Sequence, residues 1–271
     1  MEGNLTTAML LTTGAGLATG IGGLLAIVGR KPGPRFMGFT LGFSAGVMVF
    51  VSFVELLGHS IDDVGEPVAY GAFLAGAVAF FLVDLAVPHD CIGHHEHDGV
   101  LAGENGHGRG TREGRLMRAG LVTAIGIGIH NFPEGLATFA GSMRGTHLGL
   151  VVGGAMALHN IPEGLAVAAP VYAATGSRRK AFGWSLLSGL SEPVGAGLAA
   201  LVLWPFLTPT VLAIFICAVA GIMVAVAMDE LTPAAKEFGS AHAPMLGVLV
   251  GMAVMAASVW LLHAHVPAHA H

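Results

Sequence analysis

Charged residues are scarce in this 271-residue chain: Lys, Arg, Asp and Glu make up 11% of it, against about 25% in soluble domains. So few charges cannot cover a globular surface, which excludes an ordinary cytosolic enzyme and a disordered protein. The net charge of −5 provides no basic surface for a polyanion and excludes a nucleic-acid binder. Cys91 and Cys217 are the only cysteines. Because one lies in a polar loop and the other in an apolar run, we expect no structural disulfide.

Apolar residues are abundant instead and make up 54% of the chain. A helix that spans a bilayer needs about 20 mainly apolar residues, and eight such runs follow one another along the sequence. We expect spanning helices near Leu5–Val28, Phe36–His59, Val68–Val87, Met117–Met143, His147–Tyr172, Ala181–Phe206, Thr208–Leu231 and Met245–His263. The sequence therefore predicts an all-α integral membrane protein, with one domain of eight helices over residues 1–271 that is surrounded by the lipid bilayer.

Lys and Arg are distributed unevenly among the predicted loops. Of the 12 basic residues, all but Arg144 lie in loops that follow the first, third, fifth and seventh spans. Basic loops remain in the cytoplasm, so both termini are expected on the other side. The loop 88–116 is rich in His and Gly, and we expect it to be flexible. Its histidines either bind cytosolic metal weakly or are incidental to a linker.

One octapeptide occurs twice, in the fourth and fifth predicted spans. The sequence HNFPEGLA, which starts at His130, recurs as HNIPEGLA, which starts at His159. A carboxylate at this depth of the bilayer costs about 2.5–3.5 kcal/mol, so two copies of the motif indicate a function. The alternative is that each His merely pairs with its Glu as a buried structural group.

The spacing of the motif suits a metal site. His and Glu four residues apart project from one helical face, and the Pro before Glu frees a carbonyl of the preceding turn, that of Ile129 or Leu158. Neighbouring helices joined by a short loop run antiparallel, so two facing copies would form a cage whose carboxylates can bridge two ions. Nitrogen and oxygen donors suit zinc, iron, manganese or cobalt. The predicted ligands are His130, Asn131, Glu134, His159, Asn160 and Glu163.

The two motifs resemble the signature helices of the ZIP (ZRT/IRT-like) metal-ion transporters. The likeness extends to LGFSAGVM in the second span and to AGIMVAVAMDELTPAAKE in the seventh. The resemblance implies eight spans with both termini outside, a bacterial inner membrane and a transport site between the fourth and fifth spans. It also implies import of divalent ions without ATP, zinc first, with iron, manganese, cobalt and cadmium as further cargo. An elevator-like movement of the first, fourth, fifth and sixth spans is a further implication.

The family pattern also points to two residues outside the repeat. It places a metal-site carboxylate on the sixth span, where Glu192 precedes Pro193, and a ligand-capable residue at Met48 in the second span. Each has a plainer alternative. Glu192 could be a buried polar group that a neighbouring helix satisfies, and Met48 could only pack.

A fainter repeat relates the second span to the seventh. AGVMVFVSFVEL, from Ala45, resembles AGIMVAVAMDEL, from Ala220, and the two spans run in opposite directions. Inverted repeats of this kind are typical of secondary transporters. We expect Glu55 at the outer mouth and Asp229 and Glu230 at the inner one, as carboxylates that attract ions. The alternative is that they are solvated charges at helix ends.

The function predicted from these features is a secondary transporter that imports divalent metal ions. No GxxxxGK[ST] sequence is present to bind ATP. A metal-selective channel with the same site stays open as an alternative, whereas a membrane metalloenzyme lacks support because no HExxH sequence occurs. We expect no catalytic cofactor. The oligomeric state is left open, with a homodimer among the options.

Overall fold

The computed structural model describes residues 4–28, 33–86, 124, 128, 131–203, 206, 208–237 and 242–265. All regular structure in this part of the chain is helical. Within it, seven helical stretches are long and apolar enough to cross a membrane. The predicted loop 88–116 and the first half of the predicted fourth span lie outside the described residues.

The first half of the chain forms the following helices. Helix α1 is Leu5–Val28, α2 is Pro34–Val51, and α2 continues through the π-helical segment π1, Ser52–Leu57, into α3, Gly58–Val64. Helix α4 is Glu66–Ala86, and α5 covers 131–144. The second predicted span is therefore longer than expected. It ends only where Gly65, at φ 78°, takes a backbone conformation that L-residues rarely adopt.

The second half of the chain begins with α6, Thr146–Thr175. Helices α7, Arg178–Gly189, and α8, Ser191–Leu198, are separated by a turn at Leu190, and α8 leads into π2, Ala199–Leu203. Helix α9, Pro209–Val226, continues through π3, Ala227–Leu231, into α10, Thr232–Glu237, and α11 is Ala243–His265. The sixth predicted span is thus interrupted directly before Glu192. Pro193 fits the first turn of α8, where its missing N–H leaves no hydrogen bond unmade.

The distribution of polarity is the reverse of that in a soluble protein. Large apolar side chains face outward, among them Leu201, which is 79% exposed, and Trp260, which is 69% exposed. Several Glu, His, Asn, Ser and Thr side chains are fully buried between the helices. Lipid tails solvate exposed apolar groups well, and polar groups are satisfied only inside the bundle. The described helices therefore belong in a membrane.

Glycines allow the helices to cross at backbone contact. Helix α1 packs along α6, α2 along α11 and α4 along α9. A Cβ on Gly22 would overlap the carbonyl oxygen of Ile161, and one on Gly164 would overlap that of Thr19. Close approach of this kind is how helices associate where no water drives them together. It brings the centre of α6, with its polar residues, against α1.

Candidate metal centre

Helix α6 holds three of the predicted ligands at its middle. His159, Asn160 and Glu163 are all 0% exposed. The helix runs past Pro162 without a break, and the motif glycine, Gly164, lies against the backbone of Thr19 in α1. Since His159 and Glu163 are four residues apart, both side chains project from the same face.

Glu134 of α5 completes a group of three around this face. One ligand atom from each of Glu134, His159 and Glu163 lies within 4.8 Å of the others. The Nε2 atom of His159 is 3.0 Å from Oε1 of Glu134. Two carboxylates and one imidazole, all buried, form the donor set that zinc and similar divalent ions accept. The predicted meeting of the two motifs is thus observed for these three side chains.

A hydrogen bond on the side of the ring away from the carboxylates fixes the orientation of His159. Its Nδ1 atom lies 2.9 Å from the carbonyl oxygen of Ala155, so the N–H on Nδ1 donates to that oxygen. The Nε2 atom faces the carboxylates and is the ring nitrogen that is placed to bind an ion. A backbone carbonyl in this position is the usual support of a metal-binding histidine.

Helix α2 contacts the group through a serine. The hydroxyl of Ser44 donates to Oε1 of Glu163 at 3.1 Å, and it also lies 3.4 Å from the carbonyl oxygen of His159. Ser44 is 0% exposed. This contact makes α2 part of the wall of the site.

Asn160 links α6 to α1 and α8. Its Nδ2 atom donates to the carbonyl oxygen of Ala15 at 2.8 Å and also to Oε1 of Glu192. Because the amide nitrogen has two acceptors, the amide oxygen faces elsewhere. Among the described residues this oxygen has no hydrogen-bond partner, so it remains as a candidate ligand. Glu192 itself is 0% exposed, and its position beside Asn160 extends the acidic character of the site to α8.

Comparison with known proteins identifies the family. The model of the ZIP zinc transporter family matches residues 86–258. The protein named zinc transporter ZupT of Corynebacterium efficiens is 47% identical over 266 residues, which cover 95% of this chain and 98% of the relative. The chain belongs to the ZIP family. Proteins of the same name from Chlorobium phaeovibrioides and Akkermansia muciniphila are 49% and 47% identical, over 96% and 93% of this chain and 99% and 96% of theirs.

Membership of the ZIP family confirms the resemblance predicted from the two motifs, and it indicates a transporter rather than an enzyme. The assignment of the individual ligands depends on the geometry of the site. Asn131 is buried beside the site helices and its Nδ2 atom lies 3.5 Å from the carbonyl oxygen of Ser188. Met48 is 1% exposed and lies one helical turn beyond Ser44 on α2. His130 lies outside the described residues.

Two contacts of this ZIP site were missed by sequence reasoning. Ser44 and the carbonyl oxygen of Ala15 both touch motif residues. The signal for Ser44 is weak: it is a small polar residue within the apolar run LGFSAGVM. A backbone carbonyl carries no sequence signal at all.

The structure also corrects the interpretation of Glu55. The alternative of a solvated charge at a helix end is wrong, because Glu55 is 0% exposed and lies in π1, within a continuous helical stretch. The corresponding residues in π3 differ, since Asp229 is exposed and Glu230 is partly buried.

Proposed function

We propose that this protein is a secondary transporter that imports divalent metal ions, zinc first, into the cytoplasm. The observation that carries the proposal is the buried group of Glu134, His159 and Glu163 in a member of the ZIP family. Relatives of nearly equal length are named zinc transporters. An inside-negative potential supplies about 2.3 kcal/mol per charge per 100 mV, roughly double that for a divalent ion. Iron, manganese, cobalt and cadmium are the further cargo that the same donors suit.

The proposed ligands are the eight residues predicted from the sequence. Glu134, His159 and Glu163 form one part of the site, and the amide oxygen of Asn160 and the carboxylate of Glu192 extend it towards α8. Asn131, Met48 and His130 are the remaining candidates. Two carboxylates between two groups of donors support a site for two ions. Ser44 holds Glu163 in place from α2.

The proposed topology has eight spans, with the fourth completed by residues before 131. Both termini are extracytoplasmic, because the basic loops follow the odd-numbered spans. In this orientation α2 begins at the cytoplasmic side and π1 lies in the outer half of the membrane. A bacterial inner membrane is the proposed location, in keeping with the bacterial relatives.

An inverted repeat is supported by glycine crossings at matching positions. A Cβ on Gly46 would overlap the carbonyl oxygen of Val248, and one on Gly221 would overlap that of Phe73. The reverse contacts match as well, Gly251 with Phe43 and Gly76 with Ala218. The two pairs that relate α2 to α9 are shifted forward along the chain by the same number of residues. The two pairs that relate α11 to α4 are shifted backward by that same number.

The site helices show the same relation. Gly164 of α6 contacts the backbone of Thr19, and Gly135 of α5 contacts that of Glu192. Gly22 contacts Ile161 and Gly195 contacts Phe132, again with matching shifts. Each half of the protein would then contain two helix crossings: one between helices that carry site residues, and one between helices that support them. Two related halves are what alternating access between two membrane faces requires.

The test is zinc uptake into liposomes that contain the purified protein. Wild-type uptake should saturate with zinc concentration and need no ATP. Glu134→Gln and Glu163→Gln should each reduce uptake at least about tenfold, which corresponds to about 1.4 kcal/mol of lost binding. Glu66→Gln is the matched control, because Glu66 is exposed at the start of α4.

Two outcomes would contradict the proposal. Normal uptake by Glu134→Gln at equal protein content would exclude the assigned site. Flux that does not saturate, at rates far above those of a carrier, would favour the channel instead. The same liposomes, tested with manganese, cobalt, iron and cadmium, define the range of cargo.

A further inference from the structure

We propose that Glu55 and His59 form a second, transient binding site for divalent metal ions, between the outer surface and the main centre. This inference rests on the proposed transport function and assigns to the protein a site outside the two signature motifs. Two potential ligand groups meet there: the carboxylate of Glu55 and the Nδ1 atom of His59. Nδ1 lies 3.7 Å from Oε2 and 3.0 Å from the carbonyl oxygen of Glu55.

The burial of Glu55 has no structural explanation among its neighbours. The side chain is 0% exposed, and neither carboxylate oxygen has a hydrogen-bond partner in the part of the chain that the structure describes. A buried carboxylate that lacks hydrogen bonds is strongly destabilising. Within the described part of the chain, the imidazole of His59 lies within ion-pair distance of this carboxylate. A group kept under such conditions has a ligand or a counter-ion during function.

The separation of the two side chains suits a shared ion. Zinc binds imidazole nitrogen and carboxylate oxygen at about 2.0–2.2 Å, which places two ligands of a tetrahedral ion about 3.3 Å apart. The 3.7 Å between Nδ1 and Oε2 is close to this value and is longer than a hydrogen bond. As the residues stand, the N–H on Nδ1 of His59 donates to the carbonyl oxygen of Glu55 at 3.0 Å. An ion held by Glu55 would replace this proton on Nδ1, and the ring would keep its proton on Nε2.

The position of the pair places it between solvent and the centre. The side chain of His59 is 44% exposed, whereas that of Glu55 is buried. The seven residues from Met48 to Glu55 span about 10 Å of helix. Between them lies Ser52, which is buried and whose hydroxyl has no hydrogen-bond partner among the described residues. Ser44, at the far end, contacts Glu163 of the centre.

The same helical stretch therefore presents oxygen, sulfur and nitrogen donors from its exposed end to the main site. Helix α6 packs against both α2 and π1, and Ser44 is the donor of this stretch with a hydrogen bond to Glu163 on that helix. Two side chains bind an ion more weakly than the main group, which a station on a route requires. An ion would leave water at His59, bind Glu55 and pass on towards Met48.

Uptake kinetics in liposomes distinguish a ligand from a carboxylate that only attracts ions. Glu55→Gln and His59→Ala should each raise the KM for zinc about tenfold, equally at low and high salt. Asp62→Asn is the matched control, because Asp62 is exposed on α3. Attraction over a distance is screened by salt, so the Asp62→Asn effect should be small and vanish at high salt. A Glu55→Gln effect that vanishes in the same way would overturn the proposal.

A change of ligand chemistry provides a readout that a structural role would not affect. Glu55→Cys replaces a hard oxygen by a soft thiolate, which favours cadmium over manganese. Made in a background in which Cys91 and Cys217 are replaced by Ala, it should shift the ratio of cadmium to manganese uptake at least about fivefold towards cadmium. An unchanged ratio in an active variant would contradict a ligand role.

The two proposals fail separately. If Glu134→Gln leaves uptake unchanged, the assigned transport site is excluded, whatever the variants at Glu55 do. If Glu134→Gln abolishes uptake and Glu55→Gln, Glu55→Cys and His59→Ala leave KM and metal preference unchanged, the main site stands and the second site is excluded. His59→Ala keeps the test informative if variants at Glu55 do not fold, since His59 is half exposed.

Discussion

The two copies of the fainter repeat have the same local structure but different surroundings. Helix α2 passes into π1 at Ser52, and α9 passes into π3 at Ala227, the matching position of the repeat. Gly46 and Gly221 each contact a neighbouring backbone, and Met48 and Met223 are each 1% exposed. The acidic residues that follow differ.

Glu55 is fully buried in π1, whereas Glu230 is partly exposed in π3 and Asp229 beside it is exposed. Related positions in an inverted repeat become equivalent only when the two membrane faces exchange access. Together with the proposed inverted repeat and orientation, this difference in exposure predicts an inward-facing state, closed at the π1 end and open at the π3 end. The difference in exposure could not be read from the sequence similarity of the two copies.

The largest effect is expected at the glycines that the two copies share. Gly46→Ala and Gly221→Ala would each push a methyl group into a carbonyl oxygen of the adjacent helix. Overpacking of this kind typically costs about 1–3 kcal/mol. Both variants should unfold at a lower temperature in detergent, whereas Gly71→Ala should not, because nothing lies within 4 Å of a Cβ there. If only one of these two variants lost stability, the two copies of the repeat would not be structurally equivalent.

The next effect separates the two methionines. Met48→Leu and Met223→Leu keep the side-chain volume and remove the thioether, which usually has little effect on packing. Met48→Leu should raise the KM for cadmium about fivefold and that for manganese less, because sulfur is a soft ligand. Met223→Leu should leave both unchanged. Equal effects in the two copies would show that Met48 only packs.

Cysteine accessibility tests the difference in exposure directly. In a background without Cys91 and Cys217, Glu230→Cys should react quickly with a membrane-impermeant thiol reagent from the cytoplasmic side. Glu55→Cys should react slowly, and only from outside, because its side chain is buried in this state. Labelling of both positions from one side would refute the inverted topology. Equal rates from opposite sides would show that the inward-facing state does not dominate.

The smallest effect is expected at Arg144, the basic residue at the end of α5. It forms an ion pair with Asp63 and donates to the hydroxyl of Ser60 at 3.3 Å and to the carbonyl oxygen of His59 at 3.2 Å. These contacts join a site helix to α3, next to π1. Arg144→Gln should lower stability by less than about 1 kcal/mol and accelerate labelling of Glu55→Cys a few-fold. Unchanged labelling would show that Arg144 does not hold the π1 end closed.

Much of the fold could be predicted because the solvent is lipid. A long apolar run in a bilayer has to be helical, so α1 has the bounds that the sequence predicts. The extension of α2 into α3 was missed because His59, Asp62 and Asp63 appear too polar for a span. Arg144, which lies far away in the sequence, pairs with Asp63 and donates to the carbonyl oxygen of His59, and such long-range contacts carry no local sequence signal.

The candidate site was predictable where one helix sets the geometry and not where several meet. The shared face of His159 and Glu163 follows from their spacing. The hydrogen bonds from Asn160 to Glu192 and from Ser44 to Glu163 depend on how α1, α2, α6 and α8 cross. Single glycines lie at the contacts of those crossings, whereas other described glycines, Gly14 and Gly71 among them, have nothing within 4 Å of a Cβ. The sequence does not distinguish the two kinds.

The buried carboxylates of the centre also determine which step the membrane potential acts on. Glu134, Glu163 and Glu192 bring three formal negative charges to the centre, and two divalent ions bring four positive ones. In a carrier whose site helices cross the membrane with the ions, the loaded centre therefore moves a net charge of only one. The empty centre, still negative, is pushed outward by an inside-negative potential, at about 2.3 kcal/mol per charge per 100 mV. Voltage would then accelerate the return of the empty carrier more than the inward passage of the metal.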